Sequence, residues 1–239
     1  KRMLLFDEED KKYLNGNVFS SIYQFRFKGS SAPMTRLDCL KNLVKDKRVI
    51  HFGCVDHLPL IEQRRKAGNW LHEVLSREAT KVIGIDINTE GIQYMNREGF
   101  ESYVSNVVTE PIPASLAEGL RWDYLLAGEV VEHIGNPVEF LAQIRQKYGP
   151  VTDRIIITVP NAWSYTSIRF ALRNEEMINT DHRFWFTPYT LAKIATDAGI
   201  QVEGYEMCLD EYPSPFSLKY WLVRSRPGLR NRIVLIGKL

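Results

Sequence analysis

Cysteine is scarce in these 239 residues: Cys39, Cys54 and Cys208 are the only three. They are odd in number, widely spaced and form no zinc pattern, so no disulfide framework is expected and a reducing, cytoplasmic setting is. Long apolar runs are missing too. None approaches the roughly 18 residues of a membrane span, and no signal-peptide pattern is read. The chain opens on Lys1 in place of Met, so a trimmed natural start is expected. Charge of one sign is also lacking. Lys+Arg number 31 against 29 Asp+Glu, a net +2 that leaves no global nucleic-acid footprint, and nucleic acid is not the expected partner. Arg64 to Lys66 and the arginines between 224 and 232 read as local patches of solvated surface. Internal repeats, low-complexity tracts and interdomain linkers are absent, and 44% hydrophobic residues suffice for one globular domain with elaborations.

What is present centres on Arg48 to Asp86. Val49–Phe52 and Val82–Ile87 are short apolar runs, the first followed by a turn at Gly53 and the second enclosing Asp86. Both fit buried parallel strands. In doubly wound sheets a ligand sits beyond the carboxyl ends of the strands, and an acid closing the second strand can accept from two ribose hydroxyls. A G-x-G-x-x-G dinucleotide fingerprint is missing, which argues against a nicotinamide oxidoreductase.

Further along, Thr35 to Val44 reads as a helix with Leu37, Leu40, Leu43 and Val44 on one face. Trp70, Leu71, Val74, Leu75 and Ala79 repeat at helical spacing with Asn69 available as cap, and Thr89 to Arg97 forms a helix stopped by Gly99. Ser102–Val104, Tyr124–Ala127, Arg154–Val159, Ile200–Met207 and Arg232–Ile236 supply the remaining strands. Glu129, Glu132 and His133 stand at i, i+3 and i+4, so a helical turn would gather them on one face. Asn136, Pro137 and Glu139 read as cap, first position and capping-box partner of a helix burying Val138, Leu141 and Ile144. Thr187 and Pro188 begin another, with Leu191, Ile194, Ala195 and Ala198 inward and Gly199 ending it. Two carboxylates and an imidazole in a cleft are a metal site, a base with its orienting partners, or plain structure.

RVIHFGCVDH, VIGIDIN, WDYLLAGEVVEHIGNPVEFL, RIIITVPN and DHRFWFTPYTLAKIATDAGI together resemble, in order, the motifs of class I S-adenosylmethionine (SAM) dependent methyltransferases. The resemblance implies an α/β, Rossmann-like, doubly wound and mostly parallel seven-stranded sheet with an antiparallel last strand. Residues 48–239 would be the catalytic domain and residues 1–47 an extension, either a strap over the sheet or a cover on the substrate side. SAM is the implied cofactor, held by His51, Gly53, Cys54, Asp86, Ile87, Asn106, Val107 and Glu129. His51 stands where the family usually has an acid, Val55 and His57 where it has glycines that let backbone approach the cofactor. The long interval from Gly53 to Asp86 implies an inserted loop or turn at HLPLIEQRRKAGNW. Asn106 either meets the adenine edge or caps a turn.

EVVEH is similar to a segment of ubiquinone-biosynthesis O-methyltransferases and small-RNA 2′-O-methyltransferases, which implies that Glu129, Glu132, His133 and His182 hold Mg²⁺ or Mn²⁺. His133 and Glu129 are then the catalytic candidates, and a metal-free His133 base stays open. The aromatic loop 162–180 (Trp163, Tyr165, Phe170, Met177) lies where an acceptor lid belongs, or else closes the core. The Pro-rich stretch 210–231 reads as a long hairpin. The expected activity is methyl transfer to a hydroxyl of a saccharide or small metabolite. RNA ribose methylation and an inactive, methyltransferase-like scaffold are the alternatives.

Overall fold

Val49, Ile50 and Phe52 are fully buried because the strand that carries them, β1 (Arg48–Phe52), lies mid-sheet. The computed structural model describes residues 3–27, 32–56, 58–119 and 121–239. In chain order its elements begin with α1 (Glu8–Leu14), α2 (Arg36–Val44) and β1, followed by α3 (Leu58–Lys66), α4 (Leu71–Glu78), β2 (Lys81–Asp86) and α5 (Thr89–Arg97). Next come β3 (Ser102–Val104), α6 (Ala114–Ala117), β4 (Trp122–Gly128), α7 (Pro137–Tyr148), β5 (Thr152–Pro160) and α8 (Tyr165–Ala171). The chain closes with α9 (Pro188–Asp197), β6 (Gln201–Cys208), α10 (Leu218–Ser225) and β7 (Arg232–Lys238).

The strands form one seven-stranded sheet in the order β3-β2-β1-β4-β5-β7-β6. β7 runs antiparallel to both β5 and β6, and the other pairings are parallel. This is the Rossmann-like doubly wound sheet with an antiparallel last strand that the motifs imply. Order reverses between β1 and β4, so the carboxyl ends of these strands flank a crevice. Three buried clusters fill the layers between sheet and helices. All three cysteines are free and buried. Among the described residues no helix is long and apolar enough to cross a membrane.

Local signals place most boundaries. Asn88 caps α5 by accepting from the Gly91 N–H, and Thr187 caps α9 through a capping box, with Pro188 in the first turn. Several expectations need correction. Asn69 is not a cap: α4 starts one residue later than Asn69 would require, after the buried Trp70, without a side-chain cap. The inserted stretch after Gly53 is a whole helix, α3. Asn136 does cap α7, but Glu139 completes no capping box, because its carboxylate accepts from Gln143 one turn later. The long β6–β7 connection is a hairpin with α10 inside it. His57 and its implied role lie outside the described residues.

The N-terminal extension straps the free edge of β6. Leu4 and Tyr205 exchange backbone hydrogen bonds of 3.0 and 2.9 Å, which pairs one residue of an otherwise bare strand edge. Phe6, Phe25 and Phe27 then pack on the Tyr205 ring.

Candidate active site

Two clefts open along the carboxyl ends of the strands and share Gly53, Glu129 and His133. The first, of about 570 Å³, has Asp86, Ile87, Ser105, Asn106, Val107 and Phe140 among its walls. Gly53 leaves β1 at φ 63°, and a Cβ there would lie 2.7 Å from Val130 Cγ2. Both facts demand glycine and keep bare backbone at the cleft floor. The Asp86 carboxylate ends β2, where its two oxygens accept from the Val55 and Asn88 N–H groups at 2.9 Å each. Those bonds fix its orientation and leave lone pairs for a diol. Ile87, 72% exposed, forms an apolar shelf beside it. Asn106 Oδ1 accepts from the N–H groups of Val108 and Thr109, so its oxygen caps a turn and its amide N–H₂ is the donor it can offer a base edge.

His51 and Cys54 are buried where they border the second cleft. His51 Nδ1 lies 3.1 Å from His72 Nδ1, with the rings stacked 5.4 Å apart. Burial, followed by the neighbouring His72 and Arg36, holds the His51 imidazolium well below its ordinary range, and burial pushes His72 down to about 4. Both rings are therefore neutral at pH 7. The Cys54 thiol, raised by burial and then by Asp86, packs on Gly84, so this residue offers the cleft its backbone.

The second cleft, of about 530 Å³, gathers charge: Arg36, Asp56, Arg64, Glu129, Asp181 and Arg232 line it with His51 and His182. Glu129 sits just past β4 in the left-handed region at φ 58°, a costly conformation for a residue with a side chain. Its carboxylate repays the strain by contacts: it accepts from Thr158 Oγ1 at 3.0 Å and Arg232 Nη1 at 2.5 Å, with Arg36 Nη1 at 3.7 Å. The helical turn expected over 129–133 does not form. Left-handed Glu129 ends the strand, and Asn136, preceding Pro137, is disfavoured from helical geometry, which leaves room only for a 3₁₀ turn at Val131–His133.

That turn brings Glu132 and His133 to His182, with ligand atoms all within 4.8 Å of one another. Glu129 does not join this group, because its carboxylate is turned to Arg232. The backbone contact Arg183 N–H to Glu132 C=O, 2.8 Å, pins the His182 segment against the turn. Glu132 is fully buried, and neither carboxylate oxygen has a hydrogen-bond partner among the described residues. Burial and then the charge of Glu129 raise its carboxyl to about 8. His182 Nδ1 is likewise unpartnered, and its Nε2 lies 3.9 Å from Glu132 Oε1. Burial, then His133, lowers the His182 imidazolium. His133 Nδ1 meets the Asp181 carbonyl at 3.2 Å, an orientation suited to a ligand or a base. A buried carboxylate with two orphan oxygens beside two imidazoles fits a divalent cation.

Motif reading missed Arg36, Arg232, Thr158, Asp181 and His72. Arg36 follows the Thr35 cap and carries no signal of its own. Arg232 and Asp181 line the second cleft, and Thr158 and His72 touch Glu129 and His51 from behind it, through tertiary contacts.

Residues 30–204 match the family model described as a methyltransferase domain. A ubiquinone biosynthesis O-methyltransferase of Psychrobacter arcticus is 22% identical over 188 residues, which cover 75% of this chain and 67% of that protein. Among solved structures, the small RNA methyltransferase HEN1 aligns with TM-score 0.55 and 17% identity over 92% of this chain and 27% of its own. A chain of the complex between the Haloferax volcanii Trm112 methyltransferase activator and a methyltransferase aligns with TM-score 0.53 and 13% identity, over 84% of this chain and 87% of its own. At these identities the two structures share the fold.

Proposed function

From membership of the SAM-dependent methyltransferase family, to which this chain belongs, we propose that it transfers the methyl group of SAM to a hydroxyl of a saccharide or small-metabolite acceptor. The observation that carries the oxygen acceptor is the orphaned Glu132 carboxylate beside His133 and His182, next to the point where the two clefts meet. The methyl of a sulfonium is already activated, so the protein must chiefly align the acceptor and remove its proton. A sugar hydroxyl gives up that proton reluctantly, and a cluster of acid and imidazoles answers the need.

On this reading Asp86 binds the cofactor's ribose hydroxyls. Asn106, Val107 and Ile87 enclose the adenine, and backbone from Gly53 to Cys54, with His51 beneath, approaches the methionine end. Glu129, held by Arg232 and Thr158, receives the cofactor's ammonium group at the boundary of the clefts. Mg²⁺ or Mn²⁺ would be held by Glu132, His133 and His182, and would lower the acceptor hydroxyl's pKa. His133 as a metal-free base is the second reading, favoured by its Nδ1 contact with the Asp181 carbonyl, which leaves Nε2 to take the proton.

The test is methyl transfer from labelled SAM to a panel of methyl glycosides, phenols and a short RNA, run with Mn²⁺ and again with chelator. Label in an ether of a glycoside or phenol, lost in His133→Ala, is the expected result. Label appearing in the RNA alone, or in no oxygen acceptor although SAM binds, overturns it.

A further inference from the structure

A third cavity, of about 440 Å³, lies outside both clefts, between α8 and the segment that leads into α9. Trp163, Ile168, Met177 and Trp185 make its apolar surface, and Glu175 and Glu176 its acidic one. Among the described residues it is lined by no Lys, Arg or His. The walls are tied together before any ligand arrives. Asn161 and Phe186 form a bridge that holds the two tryptophans' segments side by side, with Ala162 N–H donating to the Phe186 carbonyl at 2.8 Å. The Trp185 indole N–H donates to Glu176 Oε1 at 2.9 Å and so aims that carboxylate. The same Trp185 ring stands edge-on to His182, centroids 6.3 Å apart, so the cavity adjoins the Glu132, His133 and His182 cluster.

We propose that this cavity is the subsite for a neutral pyranose ring of the methyl acceptor, a step that rests on the saccharide reading above. A pyranose presents an apolar C–H face and a rim of hydroxyl donors. Indole rings offer the flat apolar surface such a face covers, at small entropic cost. Carboxylates accept hydroxyl protons in short, charge-assisted hydrogen bonds, and two adjacent ones suit vicinal hydroxyls. Two carboxylates in a cavity that, among the described residues, no Lys, Arg or His lines also repel a uronate or a sugar phosphate, so the selection for a neutral ring is built by repulsion as well as attraction. A ring seated here would extend past Trp185 and present a neighbouring hydroxyl toward His182.

The test measures binding without turnover. Four neutral methyl glycosides (gluco, galacto, manno and xylo), methyl glucuronide and glucosamine are titrated into the full chain by saturation-transfer NMR, and S-adenosylhomocysteine (SAH) affinity is measured separately in each variant. At least one neutral glycoside should bind saturably, with the glucuronide at least tenfold weaker. Trp163→Ala and Glu176→Gln should each weaken the glycoside at least fivefold while SAH affinity stays unchanged, which separates this subsite from the cofactor reading. The proposal is overturned if no neutral glycoside binds, if the glucuronide binds as well, if glucosamine binds tenfold tighter as at a cation site, or if binding survives both substitutions.

Discussion

The Val55 side chain occupies the space over Gly91, where a Cβ on the glycine would lie 2.1 Å from Val55 Cγ1. The implied loss of a motif glycine at position 55 is thus matched by a missing side chain on α5, and the loop keeps its bond from the Val55 N–H to Asp86. Gly91→Ala should overpack this contact and destabilise by about 1–3 kcal/mol. Adding Val55→Gly should recover at least half of that loss in urea unfolding, although Val55→Gly alone is destabilising. Strict additivity of the two changes would show that they do not share the space.

The neutral His51–His72 pair sets an acid limit on stability. With His72 pushed down to about 4 and His51 also lowered, the unfolded chain binds more protons than the folded one between pH 4 and about 6.5. Stability therefore rises with pH across that window and falls on acidification, by on the order of 3 kcal/mol for His72. A His51→Leu/His72→Phe variant should flatten the slope of unfolding free energy between pH 4 and 6.5. An unchanged slope would assign the acid sensitivity elsewhere.

Divalent ions should stabilise through Glu132. At a hundredfold excess over Kd, Mn²⁺ adds about 2.7 kcal/mol, equivalent to a rise of roughly 5–10 °C in Tm for a chain of this size. Glu132→Gln and His182→Ala should each abolish the rise. A full rise in Glu132→Gln would place the ion elsewhere, and none in the parent chain would favour the ion-free His133 base.

The sheet was legible because its signals are local. Val49–Phe52 with Gly53, Val82 to Asp86, the Asn88 cap and the Thr187-Pro188 start each announce themselves within a few residues, and the structure puts them where expected. The site was legible only in part. Asp86, Gly53, Glu132, His133 and His182 come from motif segments. The orientation of Glu129 is decided by Arg232, 103 residues away, and that of His51 by His72. No spacing rule reaches such partners. The i, i+3, i+4 pattern misled because backbone constraints at Glu129 and before Pro137 outweigh side-chain periodicity.

Calorimetric titration of SAH into the purified chain tests the cofactor site most directly. Micromolar binding, about −8 kcal/mol, weakened at least tenfold in Asp86→Ala, is expected if the Asp86 carboxylate holds the ribose and the cleft floor at Gly53 admits the cofactor despite Val55. No heat of binding from the folded parent chain, or equal affinity in Asp86→Ala, would contradict it.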